Sequence, residues 1–139
     1  MKDDIKGKSG TLVQDGWSNV HNEPVVASCL HVDNKVYFLD SHDTGAMTKS
    51  ADNCKNLATD SINTAKDKFD CTVTAVVTDN AKNMEKMRDG LKKDDSSLLV
   101  YGCSAHWMNL LMQDITPTSV TKHVVEIQKY FRNHHKPNA

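Results

Sequence analysis

Gly10-Thr-Leu-Val-Gln-Asp15-Gly-Trp-Ser18 and Val73-Thr-Ala-Val-Val-Thr-Asp79-Asn-Ala-Lys-Asn83 are the two stretches whose reading decides the fold. Each is a short apolar run that delivers an aspartate at or near its end. About sixty residues separate the two aspartates, room for further strands and a helix. If adjacent strands set these carboxylates side by side, they form the oxygen-rich edge that a divalent cation and a phosphate group need.

The sequence between and beyond them supplies the scaffold. Thr11 to Gln14 reads as a short strand leading into Asp15, and Pro24 to Val32 as a second, rich in Val and small apolar residues. Asp33-Asn34-Lys35 is a tight turn into Val36-Tyr-Phe-Leu39, so these two runs make a hairpin. Ser41 to Lys49 is a polar loop containing Gly45. From Ser50 the period changes. Ala51, Cys54, Leu57, Ala58, Ile62, Ala65 and Phe69 recur at three- and four-residue steps, which predicts an amphipathic helix of about five turns capped by Ser50. Val73 to Thr78 has few polar interruptions, as expected of a strand covered on both faces. A helix from about Ala81 turns Met84, Met87 and Leu91 inward, and Leu98 to Tyr101 is a fifth strand. Ala105 to Ile115 reads as a short, largely buried helix carrying Met108, Leu110, Leu111 and Met112. Thr116-Pro117 breaks it, and Thr118 or Ser119 caps a last helix with Val120, Val124, Ile127, Tyr130 and Phe131 on one face.

The order β-β-β-α-β-α-β-α-α predicts an α/β fold with a five-stranded mixed sheet flanked by helices. The fourth strand runs parallel to an earlier one through a right-handed crossover. A three-stranded meander followed by β-α-β units is the layout of a ribonuclease H-like core, with the first strand central and the fourth beside it. Asp15 and Asp79 then project near one edge of adjacent strands, where ligands gather in open α/β sheets. The polar residues 1–9 are expected to form a flexible lead-in.

Composition limits the alternatives. The 139 residues suit one domain with a single core. Seventeen basic against eighteen acidic residues leave no whole-chain basic footprint for nucleic acid, although local basic patches remain open. No apolar run is long enough to span a bilayer, and Met1 to Lys8 lacks an apolar signal core, so neither a membrane nor secretion is expected. The four cysteines stand singly, which reads as reduced thiols in an intracellular, cytoplasmic protein.

Local chemistry leaves choices open. Asp15-Gly16 is also a strong turn signal, and Asp79 could cap the next helix. Asn80, one residue on, could take over that capping and leave the Asp79 carboxylate free. Cys103-x-x-His106 has half the spacing of a zinc site, but no second pair is evident; His123, His134 and His135 are loose candidates, so packing within the fold is the favoured reading. Trp17 and Trp107 read as core anchors, and the run from Lys122 through Lys129 and Arg132 to Lys136 as a solvated helix face. Glu126 offers a further carboxylate with nothing in its spacing to tie it to the other two.

Three ordered motifs carry a resemblance. Thr-Leu-Val-Gln-Asp15-Gly-Trp-Ser, Val-Val-Thr-Asp79-Asn-Ala-Lys-Asn and Tyr-Gly-Cys103-Ser-Ala-His106-Trp-Met-Asn-Leu-Leu resemble the catalytic core of hAT-superfamily transposases. The likeness covers about residues 10–115 and is nearest to the transposase-derived domain that often follows a BED-type zinc finger. It implies a ribonuclease H-like fold, DDE-type cut-and-paste chemistry on DNA with Mg²⁺ or Mn²⁺, and a nuclear location. Asp15 and Asp79 match the family's first two acidic residues, catalytic and metal-binding, and Cys103 and His106 match a motif near the active site. The third acidic residue follows a helical insertion in the family. The resemblance therefore divides the chain into a core over 10–116 and, over 117–139, the start of that insertion. It implies a truncated chain that keeps two of three carboxylates and is inactive alone. The apolar face of the 119–134 helix, left uncovered, invites self-association or a partner, which would make the chain a binding module. A different metal-dependent enzyme on the same acidic edge, such as a nuclease or phosphatase, is a third possibility.

Overall fold

The structure is a computed structural model that describes residues 2–18, 20–21, 23–43 and 50–133. Its elements in chain order are α1 (Lys2–Ile5), β1 (Ser9–Ser18), β2 (Pro24–Val32), β3 (Lys35–Asp43), α2 (Ala51–Phe69), β4 (Thr72–Thr78), α3 (Lys82–Asp94), β5 (Leu99–Gly102), α4 (Ser104–Ile115) and α5 (Thr118–Asn133). The five strands form one mixed sheet in the order β3-β2-β1-β4-β5, flanked by helices, an α/β fold compatible with the ribonuclease H-like layout. The first three strands pair antiparallel, and β4 and β5 add in parallel on the other side of β1.

The meander follows from its turns. Asp33 and Asn34 both have positive φ, 48° and 60°, and join β2 to β3 in the mirror-image turn whose twist suits adjacent antiparallel strands. Residues 44–49, where the polar loop with Gly45 is expected, lie outside the described residues.

One face of the sheet is built for helices. Ser50 caps α2 by accepting from the Asn53 amide at 3.2 Å. At the other end Asp70 turns into the left-handed region (φ 53°), which lets the Cys71 amide reach the Ala65 carbonyl at 3.0 Å. The buried side of α2 is made of small residues, Cys54, Ala58, Ser61 and Ala65, so the helix lies close on the strands. Leu12, Leu30, Val32 and Val76 meet this face together with Met84, Met87 and Leu91 of α3. Burial of such side chains contributes about 1.5–3 kcal/mol each, and this layer is the main source of stability.

Three expectations change. Within the expected lead-in, residues 2–9 are described and held to the fold: Ile5 is fully buried in the same core, and the Gly7 amide donates to the Asp70 carbonyl at 2.7 Å. A Lys8–Asp33 ion pair at 2.8 Å ties the segment to the hairpin turn. A single apolar residue in a polar stretch gives no periodic signal, which is why the sequence hides it. Second, α4 has no buried residue; Met108, Leu110 and Met112 are exposed. Third, α5 starts at Thr118, and the Pro117 carbonyl takes its first backbone bonds, from Val120 and Thr121, at 3.0 and 3.2 Å. The chain divides into two compact units, Met1–Cys103 and Ser104–Ala139, and α4 and α5 both fall in the second. Among the described residues no helix is long and apolar enough to cross a membrane.

Candidate functional site

The register of the parallel strands places the sequence motifs. β1 and β4 pair with Val13 opposite Val77, and β4 and β5 with Thr78 opposite Gly102. Two residues beyond Val13 and Val77 come Asp15 and Asp79; one residue beyond Thr78 and Gly102 come Asp79 and Cys103. The β1–β4 pairing ends at Val13 and Val77; carried on by register alone, Asp15, Asp79 and Cys103 fall level toward the same end of β1, β4 and β5. Alternation along β1 buries Leu12 and Gln14 toward the helices and leaves Val13 and Asp15 exposed on the opposite side. Asp15 is therefore a strand residue, paired with Ala27, and the turn reading of Asp15-Gly16 is excluded because β1 continues to Ser18. Its Oδ1 accepts from the Gly16 amide at 2.9 Å.

Asp79 follows the last residue of β4, and its surroundings hold it from several sides. Oδ1 accepts from the Ala81 amide at 2.9 Å, while its carbonyl accepts from Arg88 Nη1 at 2.6 Å and from the Thr78 hydroxyl at 3.0 Å. Arg88 Nη1 also donates to the Thr78 hydroxyl oxygen at 2.6 Å. Asn80 does not cap α3, contrary to expectation. The N-cap position is Ala81, without a side-chain cap, and Asn80 Nδ2 donates instead to the Cys103 carbonyl at 2.9 Å. The Cys103 amide in turn donates to the Thr78 carbonyl at 2.7 Å. A nearby backbone acceptor from another strand thus outcompetes the local cap.

Behind the acidic row runs a polar layer facing the helices. Gln14 pairs in register with Ser28, and Ser28 with Asp40. Ser61 of α2 donates to the Ser28 hydroxyl at 2.9 Å and approaches Asp40 at 3.3–3.4 Å. The Gln14 amide is buried and has no hydrogen-bond partner among the described residues. Sequence reading missed Gln14, Arg88 and Gly102. Gln14 had a signal, a polar residue at an inward position of an alternating strand, whereas Arg88 looks like any charge on a helix.

The remaining candidates divide. Cys103 is half-buried at the end of β5 with a free thiol, and His106 is half-buried in the first turn of α4, in the second unit. Burial pushes the Cys71 thiol up from its ordinary range. Trp17 and Trp107 are not core anchors; both are exposed. Lys122, Lys129 and Arg132 are exposed on α5, as is Glu126, and His134 and His135 lie outside the described residues. Among the described residues no group of three or more His, Cys, Asp or Glu is placed to hold a metal. What the row offers a cation is two aspartates, each with one oxygen engaged by a backbone amide. This donor set fits Mg²⁺ or Mn²⁺, which take few protein carboxylates and complete their shell with water and phosphate.

Residues 1–130 match the family model described as Domain of unknown function (DUF659). The chain belongs to the DUF659 family. This domain is found in hAT-type transposase-derived proteins, so the DUF659 chain is transposase-related. No curated protein matches the chain.

Proposed function

We propose that this DUF659 chain is the catalytic core of a hAT-type DDE transposase or of a protein derived from one, acting on DNA in the nucleus. The observation that carries the reading is that β1 and β4 are parallel neighbours, with Asp15 in the second half of β1 and Asp79 just past β4 toward the same end of the sheet, and Cys103 just past β5. Asp15 and Asp79 would hold Mg²⁺ or Mn²⁺, whose positive charge activates a water or hydroxyl nucleophile and stabilises the oxygen leaving phosphorus. The chain's own part is to keep the two carboxylates level on a rigid sheet, so that little reorganisation is needed as charge builds on the phosphate. Cys103 contributes its backbone to this edge.

Two carboxylates can hold one cation but are fewer than two-metal strand transfer uses, and no third acidic or histidine ligand joins them among the described residues. These 139 residues alone are therefore expected not to cut or join DNA. The test is a nicking and strand-transfer assay with Mg²⁺ and Mn²⁺ on the purified chain beside Asp79→Ala. Equal background in both is the expected result. Cleavage that Asp79→Ala abolishes would overturn the claim of inactivity.

A second reading is favoured by α5. Val120, Val124, Ile127, Tyr130 and Phe131 are all exposed on this one helix. An apolar stripe of this kind suits self-association or a protein partner, and the chain would then serve as a binding module without catalysis. Light scattering at increasing concentration discriminates: a defined oligomer supports the module, and a monomer at all concentrations rejects self-association.

A further inference from the structure

We infer that Asn80, Arg88 and Gly102 form a clamp that positions the Asp79 carboxylate; the inference rests on the metal-holding role proposed for Asp79. An aspartate just past a strand end is poorly placed to hold a cation unless something replaces the lost ladder. Here three contacts do so. Arg88 reaches from α3 to the Asp79 carbonyl and the Thr78 hydroxyl, both at 2.6 Å. Asn80 reaches across to the Cys103 carbonyl at 2.9 Å, and the Cys103 amide returns to Thr78 at 2.7 Å. With the backbone gripped on both sides, Asp79 Oδ1 stays on the Ala81 amide, and the orientation of the carboxylate is set.

Gly102 is the condition for this geometry. A Cβ there would overlap the Asn80 side-chain oxygen, lie 2.9 Å from Asn80 Cγ and come within 3.5 Å of Arg88 Nη2. The side chain of residue 80 passes over residue 102 to reach Cys103, so any larger residue at 102 displaces it. Neither Asn80 nor Arg88 needs to touch metal or DNA. They are positioning residues, and supporting groups of this kind typically change metal affinity about 10–100-fold.

The test uses the full chain and Mn²⁺ alone, read by paramagnetic broadening of the amide signals of residues 15–17 and 79–81. Asp79→Asn should abolish the specific broadening. Asn80→Ala, Gly102→Ala and Arg88→Met should each raise the Mn²⁺ concentration for half-broadening about tenfold, with the amide spectrum otherwise that of the folded chain. Arg88→Lys, which can still bridge the two oxygens, should recover part of the loss. The decisive result is non-additivity: Gly102→Ala should have no further effect once Asn80 is already Ala, because the group it would strike is gone. Wild-type Mn²⁺ response in the folded clamp variants, with Asp79→Asn still abolishing it, would overturn the clamp and leave the metal reading standing. Broadening that survives both Asp15→Asn and Asp79→Asn would overturn the metal reading itself, and the clamp with it.

Discussion

Each of the two row aspartates uses one carboxylate oxygen locally, and that limits what a substitution there can do to the fold. Asp79 Oδ1 accepts from Ala81 at the entry to α3. Asn keeps an acceptor oxygen in the same place, so Asp79→Asn should leave the urea midpoint unchanged, whereas Asp79→Ala should cost about 1 kcal/mol. Agreement between the two variants would show that the bond contributes nothing. Among the thiols, Cys54 and Cys71 are buried, while Cys29 and Cys103 are partly accessible. Iodoacetamide at pH 8 should therefore label Cys29 and Cys103 first, as peptide mass mapping would report. The Cys71 thiol, pushed up by burial from the ordinary thiol range, holds its proton more tightly in the folded than in the unfolded chain. Its contribution to stability is full below pH 9.0 and is lost as pH rises through the folded value. Urea midpoints measured between pH 8 and pH 10 should fall, and replacing Cys71 with Ala should flatten that slope.

At the scale of elements, the strength of the pattern decided what could be read. The three-four spacing of Ala51, Cys54, Ala58, Ile62 and Ala65 defined α2 to its ends, because its cap Ser50 and its left-handed stop at Asp70 are local features. Removing the cap with Ser50→Ala should lower stability by about 1 kcal/mol in a urea titration. Strand order was legible too, since a short turn at Asp33-Asn34 and two helical crossovers leave few ways to arrange five strands. The misses share one physical cause. Asn80 had to choose between a local cap and a carbonyl 23 positions away, and only the fold reveals that the distant acceptor is in reach. Ile5 and α4 are the converse pair: one isolated apolar residue is buried, while a helix carrying Trp107, Met108, Leu110 and Met112 buries none of its residues. Apolar character tells that a face needs cover, and not what supplies it. That β1 and β4 are parallel neighbours was legible from the order of elements, but the contacts of Arg88 and Asn80 around Thr78, Asp79 and Gly102 left no sequence signal.

Across the whole molecule, core and apolar surface are unequally shared. Every residue of the hydrophobic core, from Ile5 to Leu98, belongs to the unit Met1–Cys103, and so do the partly buried residues packed against it. The unit Ser104–Ala139 contains two helices of 12 and 16 residues without a buried side chain among the described residues. Helices of that length are marginal in water when they have no packing of their own, because nucleation is costly and few backbone bonds follow. The two units should therefore differ when separated. Residues 1–103 expressed alone should unfold in a single cooperative transition and keep the amide pattern of the sheet, with Ile5→Ala lowering stability by about 2–5 kcal/mol. A peptide of residues 104–139 should be mostly unstructured by circular dichroism when dilute. If α5 self-associates, its helicity should rise with concentration, and Val124→Asp or Ile127→Asp, each placing a charge on the apolar stripe, should abolish the rise. Strong helicity that does not depend on concentration would mean that α4 and α5 stabilise each other within one copy, and self-association through α5 would then lose its physical basis.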